Sequence, residues 1–267
     1  DLGHYDVLLL CQNHEGYLNL SELISKAYLN EQGISIVSVT EDQLISHQKG
    51  LLMIATPTSS DISQLLLASE LELAHAKAKN WQAIFKDRYY ISAQRTDRHS
   101  DENLLNLTIE LGLKLDIPVV ATNDVQFLSK SDFDAHEARI CIAEGGLLDD
   151  SRRLKFFSDS QYLKTADEMS ELFKDYPQLI TNAFEIAKRC NLHFKLFEKN
   201  YLPAFPTPNG KSIAEFFSEE SNKGLQVRLK DLNVNEKSYF ERLNFELSVI
   251  LEMDFPGYFL IVSDFIR

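Results

Sequence analysis

Carboxylates that follow a strand are the first places to look for chemistry, and Asn123-Asp124 comes directly after the apolar run Pro118-Val119-Val120-Ala121. In a (β/α) barrel, reactive side chains gather at the carboxyl ends of the strands, so Asp124 is the candidate metal ligand. An Asn-Asp pair in that position also makes a turn, and one carboxylate is not a site; the residues leave both readings open. A second candidate is Asp132-Phe133-Asp134. On a strand, alternate carboxylates share a face and can bridge two metal ions. Here Ser131 opens a helical apolar pattern through Ala135, Ala138 and Cys141. Residues two apart on a helix diverge by roughly 200°, and acids in a first turn are favoured by the helix dipole, so this pair reads as a helix start. The seven histidines, His4, His14, His47, His75, His99, His136 and His193, form no HxH, HxxxH or HExxH spacing. His136 follows the Asn-Asp turn and reads as a hydrogen-bonded structural histidine rather than a ligand. No GxGxxG, Walker loop or GxSxG elbow occurs. Phe205, Phe255, Tyr258 and Phe259 lack the interleaved Arg and Lys of a base-stacking surface and read as core.

The elements that must position these residues alternate between strand and helix. Tyr5 to Leu10, Ile34 to Val39, Leu51 to Ala55, Asp87 to Gln94 and Pro118 to Ala121 read as strands. Leu20, Leu23, Ile24, Ala27 and Tyr28 repeat at helical spacing, Asp61 to Lys79 reads as one long amphipathic helix, and Asp101 to Leu115 as another. The alternation predicts an α/β fold, with a parallel sheet or barrel inside and helices outside. After about Ser131 the pattern becomes helices joined by loops. Thr165-Ala166-Asp167-Glu168 and Ser212-Ile213-Ala214-Glu215 are capping boxes, and Pro177 suits the first turn of a helix running to about Cys190. Pro203, Pro206 and Pro208 exclude regular structure between them and place a boundary near residue 200. Beyond it, Phe240, Leu243, Leu247, Ile250 and Leu251 form the buried stripe of a long helix. Phe255-Pro256-Gly257 then breaks the pattern before it resumes from Tyr258.

A net charge of −13 argues against a principal nucleic-acid surface, since polyanions repel an acidic face. Three widely spaced cysteines, Cys11, Cys141 and Cys190, suit a reducing cytosol and give neither a disulfide framework nor a zinc knuckle. No apolar run approaches the roughly 20 residues that span a bilayer, so no membrane partner is expected. The opening Asp1-Leu2-Gly3-His4 has no Met, and Asp264-Phe265-Ile266-Arg267 stops inside an apolar pattern. Both ends are expected to be internal to a longer chain. A piece cut from a barrel is expected to expose sheet edges and to aggregate.

Several stretches, in order, resemble the alpha subunits of bacterial DNA polymerase III, nearest to the gammaproteobacterial type. They are Glu15-Gly16-Tyr17-Leu18-Asn19-Leu20 with Leu23-Ile24-Ser25-Lys26-Ala27-Tyr28, Pro118-Val119-Val120-Ala121-Thr122-Asn123-Asp124-Val125, Asp134-Ala135-His136-Glu137, Ala187-Lys188-Arg189-Cys190-Asn191, Tyr201-Leu202-Pro203 with Phe205-Pro206, and Phe255-Pro256-Gly257-Tyr258-Phe259-Leu260-Ile261-Val262. The resemblance implies that residues 1–200 are most of a polymerase-and-histidinol-phosphatase (PHP) domain, an incomplete distorted (β/α) barrel. Residues 201–267 would open the polymerase core, a mainly helical segment leading into the palm. The palm aspartates and their Mg²⁺ would follow this chain, and the first histidine-rich metal motif would precede it, leaving no catalytic residue within these residues. In metal-binding members the strand-end motif reads Asn-Asp-Val-His; here Asp124 matches and Gln126 replaces the histidine. The pattern Leu-Glu-Ile-Gln-Arg-His-Gly aligns with Ile91-Ser92-Ala93-Gln94-Arg95-Thr96-Asp97, so Ser92 replaces the acid and Thr96 the histidine. An amide is a poor transition-metal ligand beside imidazole. The resemblance therefore implies a degenerate PHP domain with Asp124 as a vestigial ligand, acting as scaffold and docking surface for a proofreading exonuclease subunit in the cytoplasm. Primer-template DNA and the sliding clamp would be met by other parts of the parent protein. The rival readings are an active metal-dependent 3′–5′ exonuclease or phosphoesterase, and a free-standing binding protein unrelated to replication.

Overall fold

The computed structural model describes residues 3–30, 37–150, 152–153, 155–196, 203–230, 232 and 234–266. The chain divides into two compact units, residues 1–194 and 195–267.

In the first unit, four strands lie in the order β1-β2-β3-β4: β1 (Val7–Cys11), β2 (Leu51–Ala55), β3 (Tyr89–Gln94) and β4 (Val119–Thr122). This is an α/β sheet, but a mixed one. β2, β3 and β4 run parallel, with Met53 opposite Tyr89 and Ile91 opposite Val119. β1 is antiparallel to β2, with Val7 opposite Ala55 and Cys11 opposite Leu51, which corrects the expectation of an all-parallel sheet. Strand direction is fixed by the long connections rather than by the local apolar run.

Both faces of β2, β3 and β4 are covered, which is why these strands read as continuous apolar runs, while Leu8 of β1 is exposed. Leu51, Met53, Ala55, Tyr89, Ile91, Ala93, Val119 and Ala121 point into the larger core. That core also takes in Leu23 of α1 (His14–Asn30), Leu66 of α3 (Asp61–Leu67), Trp81 and Phe85 of α4 (Leu71–Phe85), and Leu104, Leu105 and Leu111 of α5 (Asp101–Leu115). Leu52, Ile54, Tyr90 and Val120 point the other way, onto Ile186 of α8 (Pro177–Arg189). α8 also shields the outer side of β4, where Asn182 Nδ2 donates to the Val119 carbonyl at 2.7 Å. The buried Trp81 indole donates to Asp61 Oδ2 at 2.8 Å, and Asp61 Oδ1 accepts from the Ile62 amide, so this carboxylate enters the core with partners.

Other differences from the sequence reading have local causes. Asp61 to Lys79 is not one helix: Ser69 takes a left-handed φ of 62° and separates α3 from α4. Lys86–Arg88 is a 3₁₀ turn, so β3 begins at Tyr89 rather than Asp87. Of Ile34 to Val39, residues 34–36 lie outside the described set, and 37–39 are not in a strand. A short helix, α2 (Glu41–Ser46), follows, held by a capping box on Thr40. Next to the β1–α1 turn the backbone comes close: a Cβ on Gly16 would lie 1.9 Å from the Gly50 carbonyl oxygen.

The remaining helices are α6 (Phe133–Glu144) and α7 (Ala166–Leu172) in the first unit, and α9 (Ile213–Leu229), α10 (Glu236–Glu252) and α11 (Pro256–Ile266) in the second. The capping boxes at Thr165 and Ser212 are both formed. Phe217, Leu247 and Leu260 make the small core of the second unit, joined by Phe205, Ile213, Phe216, Leu243 and Ile250. Leu251 is exposed, so the stripe expected on α10 is narrower than its sequence implies. Pro256 starts α11 at its first turn, two residues before the expected resumption. Among the described residues no helix is long and apolar enough to cross a membrane.

The close approach at Gly16 gives a direct test. Gly16→Ala is expected to destabilise the chain by about 3 kcal/mol through backbone overpacking. At Gly145, where an added Cβ meets nothing within 4 Å, alanine is expected to cost only about 1 kcal/mol for its left-handed φ. Urea midpoints of the two variants check the difference.

Candidate functional site

The carboxyl ends of β3 and β4 carry the residues singled out by their types, and a polar segment closes over them. β3 ends at Gln94 and leads into Arg95-Thr96-Asp97-Arg98, a tight turn before α5. Asp101, buried in the first turn of α5, organises that turn. Its Oδ2 accepts from the Thr96 amide at 2.6 Å and the Thr96 hydroxyl at 2.8 Å, and Gln94 Nε2 approaches Oδ1 at 3.4 Å. The Arg98 guanidinium then spans the site. Nε donates to Thr96 Oγ1 at 3.0 Å and lies 3.9 Å from Asp101, while NH2 donates to Asp124 Oδ2 at 3.2 Å.

Asp124 therefore faces N–H donors. Besides Arg98, Gln126 Nε2 donates to its Oδ1 at 2.9 Å, and Gln161 Nε2 donates to its Oδ2 at 2.9 Å and its carbonyl at 3.2 Å. Gln161 is fully buried, and its own Oε1 accepts from the Ser158 amide at 2.9 Å. Such a donor set suits a carboxylate acceptor, and it does not fit a metal ion, which needs lone pairs from the surrounding side chains. The other two altered positions are also occupied. The Ser92 hydroxyl is buried and donates to the Ala55 carbonyl at 2.6 Å, and that of Thr96 is spent on Asp101. Among the described residues, no group of three or more His, Cys, Asp and Glu side chains is placed to hold a metal.

The covering segment runs from 158 to 164. Ser158 Oγ donates to the Thr96 carbonyl and Ser160 Oγ to Asp97 Oδ2. The Gln126 amide bonds the Gln161 carbonyl at 2.8 Å, the Leu163 amide bonds the Phe127 carbonyl at 3.0 Å, and Asn123 Nδ2 bonds the Tyr162 carbonyl at 2.6 Å. Asp97 holds a left-handed φ of 58°, a conformation that costs a non-glycine residue about 1 kcal/mol, and its bond to Ser160 offsets that cost. Arg95 ties the same rim to α7 and α8. It makes paired bonds of 2.6 and 2.7 Å to Asp175 and one of 2.6 Å to Glu102, and it stacks on Phe173 and Tyr176. The bond to Arg95 holds the Asp175 carboxyl below its ordinary range.

The other candidates fall elsewhere. Asp132 accepts from the Ser129 amide and hydroxyl at 2.9 and 2.8 Å, a local cap that holds its pKa low, and Asp134 sits in the first turn of α6. His136 is buried between Phe127 and Phe157, and Arg139 approaches its Nδ1 at 3.2 Å. Burial, then the Arg139 charge, pushes its pKa down, with Glu137 opposing. Asp101, Arg98 and Gln161 were missed by sequence reasoning. Asp101 carried a signal, an acid at the first turn of a helix beside a strand end, but it reads there as ordinary dipole complementation.

Comparison with known proteins fits this geometry. Residues 2–96 match the PHP domain family, and residues 215–267 match the bacterial DNA polymerase III alpha NTPase domain family. A PHP match thus lies within the α/β unit, and a polymerase III alpha match within the helical unit. Along nearly its whole length the chain is homologous to DNA polymerase III alpha subunits. It is 44% identical over 270 residues to DNA polymerase III subunit alpha of Pseudomonas fluorescens, covering 98% of this chain and 23% of that protein. The corresponding subunit of Neisseria meningitidis serogroup A is 40% identical over 98% of this chain and 24% of its own length. That of Escherichia coli K12 is 40% identical over 100% of this chain and 23% of its own length. The chain thus spans about a quarter of these relatives.

Two outcomes follow from the network. Asp101→Ala, which strands the buried Thr96 donors, is expected to lower stability by about 3 kcal/mol, and Asp124→Ala, at a partly exposed carboxylate, by about 1 kcal/mol; chemical denaturation of both variants checks this. His136 binds its proton less readily folded than unfolded, so its contribution is complete above the unfolded value of 6.5 and declines as pH falls below it. Thermal midpoints between pH 7.5 and 5 are expected to fall less in His136→Phe than in the parent.

Proposed function

We propose that residues 1–200 are a PHP domain of the distorted barrel type whose metal site is degenerate, and that it serves a replicative DNA polymerase III alpha subunit as scaffold and as docking surface for a proofreading exonuclease subunit. The observation that carries this reading is the convergence of Arg98, Gln126 and Gln161 N–H groups on Asp124. A carboxylate that already accepts from a guanidinium and two amides has most of its lone-pair capacity committed, and little of it is left for a cation. Asp124 is then a vestigial ligand, retained as a structural acceptor.

Residues 201–267 are, in this reading, the opening of the polymerase core. The parent protein would be a DNA-directed DNA polymerase, in which a primer 3′-hydroxyl attacks the α-phosphate of a nucleotide with Mg²⁺ held by palm aspartates outside these residues. Contacts with primer-template DNA and the sliding clamp belong to those other parts, and replication places the protein in the cytoplasm. The homology to alpha subunits over both units supports this assignment.

Metal analysis tests the reading. After dialysis against Mn²⁺ or Zn²⁺, the chain is expected to retain less than one equivalent of either, and Asp124→Ala is expected to change neither metal content nor nuclease background. Stoichiometric metal, with phosphoesterase activity lost in Asp124→Ala, would establish the active exonuclease reading instead. The docking role is checked separately, by co-elution of the parent protein with its exonuclease subunit and loss of co-elution when residues 1–200 are removed.

A further inference from the structure

Two of the donors that meet Asp124 are held in place by groups other than its carboxylate. Arg98 Nε donates to Thr96 Oγ1 at 3.0 Å, and the Arg98 amide approaches Asp101 Oδ2 at 3.4 Å, so the guanidinium is kept at the rim independently of Asp124. Gln161 is fully buried, and its Oε1 accepts from the Ser158 amide at 2.9 Å, which turns Nε2 toward Asp124. That Nε2 also donates to the backbone carbonyl of Asp124 at 3.2 Å, an acceptor that any residue at the position supplies. Gln126 is brought alongside by its own backbone amide, bonded to the Gln161 carbonyl at 2.8 Å. One guanidinium and two side-chain amides thus converge on one carboxylate. The set is complementary to a carboxylate in both charge and hydrogen bonding. Its anchored members are preorganised, so little further ordering is needed when an anion enters. The Asp124 side chain is 37% exposed, so the place its oxygens occupy is reached from solvent.

We propose that Arg98, Gln126 and Gln161 form a carboxylate-binding cradle whose built-in occupant is the Asp124 side chain, and that the cradle takes a small free carboxylate when that side chain is removed. The proposal rests on the reading of this rim as a degenerate metal site, and it adds a ligand class: the selectivity of the place is inverted from cation to anion. Asp124→Ala removes the carboxylate beyond Cβ, a group of the size of formate, and Asp124→Gly removes the equivalent of acetate. In either variant Arg98 loses one of its two nearby carboxylates. The other, Asp101, is already committed to the Thr96 amide and hydroxyl. The matched anion returns both the missing charge and the two oxygen acceptors.

Thermal unfolding of the parent and both variants in sodium formate, sodium acetate and sodium chloride at equal concentration tests the cradle. Relative to chloride, formate is expected to raise the midpoint of Asp124→Ala, and acetate that of Asp124→Gly, by about 2–4 °C beyond any shift in the parent. Adding Arg98→Met to either variant is expected to abolish that response. Where a variant is unfolded in chloride, its matched anion is expected to restore a cooperative transition. Variants that respond to the matched anion no more than the parent does, or that stay unfolded in it, would overturn the cradle. Mn²⁺ that stabilises the parent but not Asp124→Ala would instead overturn the degenerate-site reading beneath it, so the two failures are told apart.

Discussion

The buried carboxylate of Asp101 governs the carboxyl rim of the sheet, because the turn after β3 has few other places to send its donors. Thr96 is fully buried, and both its amide and its hydroxyl end on Asp101. With Thr96 fixed, its Oγ1 receives Arg98 Nε, and the guanidinium reaches on to Asp124. Asp124 in turn fixes Gln161, and Gln161 fixes the chain over the strand ends. The buried members, Thr96, Asp101 and Gln161, would each be left without a partner if the chain were broken, at a cost of roughly 1–3 kcal/mol apiece. A chain of such bonds is high-stakes: complete, it rigidifies the rim, and a gap at Asp101 leaves its most buried donors stranded.

This dependence explains how the rim keeps its shape with neutral residues at Ser92, Thr96 and Gln126, the three positions where the resemblance led us to expect ligands in metal-binding members. Ser92 turns inward to a backbone carbonyl, Thr96 serves Asp101, and Gln126 donates to the carboxylate it would otherwise have helped to coordinate a metal. Asp97 adds a fourth adjustment. It stands where the resembling pattern has glycine, in a left-handed conformation that glycine would adopt freely, and its carboxylate recruits Ser160 of the covering segment. The residues at these positions are thus all in use as hydrogen-bonding partners.

Much of the frame was legible because local chemistry sets it. Leu51–Ala55 and Asp101–Leu115 have the bounds their patterns imply, and the two capping boxes begin helices where Thr-x-x-Glu and Ser-x-x-Glu require. What was not legible depended on distant partners. The antiparallel sense of β1 is set by how the chain returns to β2, and the break at Ser69 has neither glycine nor proline to announce it. At the site, Asp124 was visible from its place after β4, but its partners are 26 and 37 residues away in opposite directions. Arg98 looks like one more surface charge until the fold brings it beside two carboxylates.

Electrostatics separates the scaffold reading from the metal reading more sharply than ligand counting does. A divalent ion placed against Asp124 would share that carboxylate with the Arg98 guanidinium, and the two cations would repel each other. Moving Arg98 aside removes that repulsion but also unties Thr96 Oγ1 and leaves Asp101 without its nearby cation. Gln126 and Gln161 would have to rotate as well, and the fully buried Gln161 has little room to do so. Metal binding here would therefore require the rim to be rebuilt outward from Asp101. Restoring a histidine at Gln126 alone leaves both the guanidinium and the buried amide in place against the carboxylate.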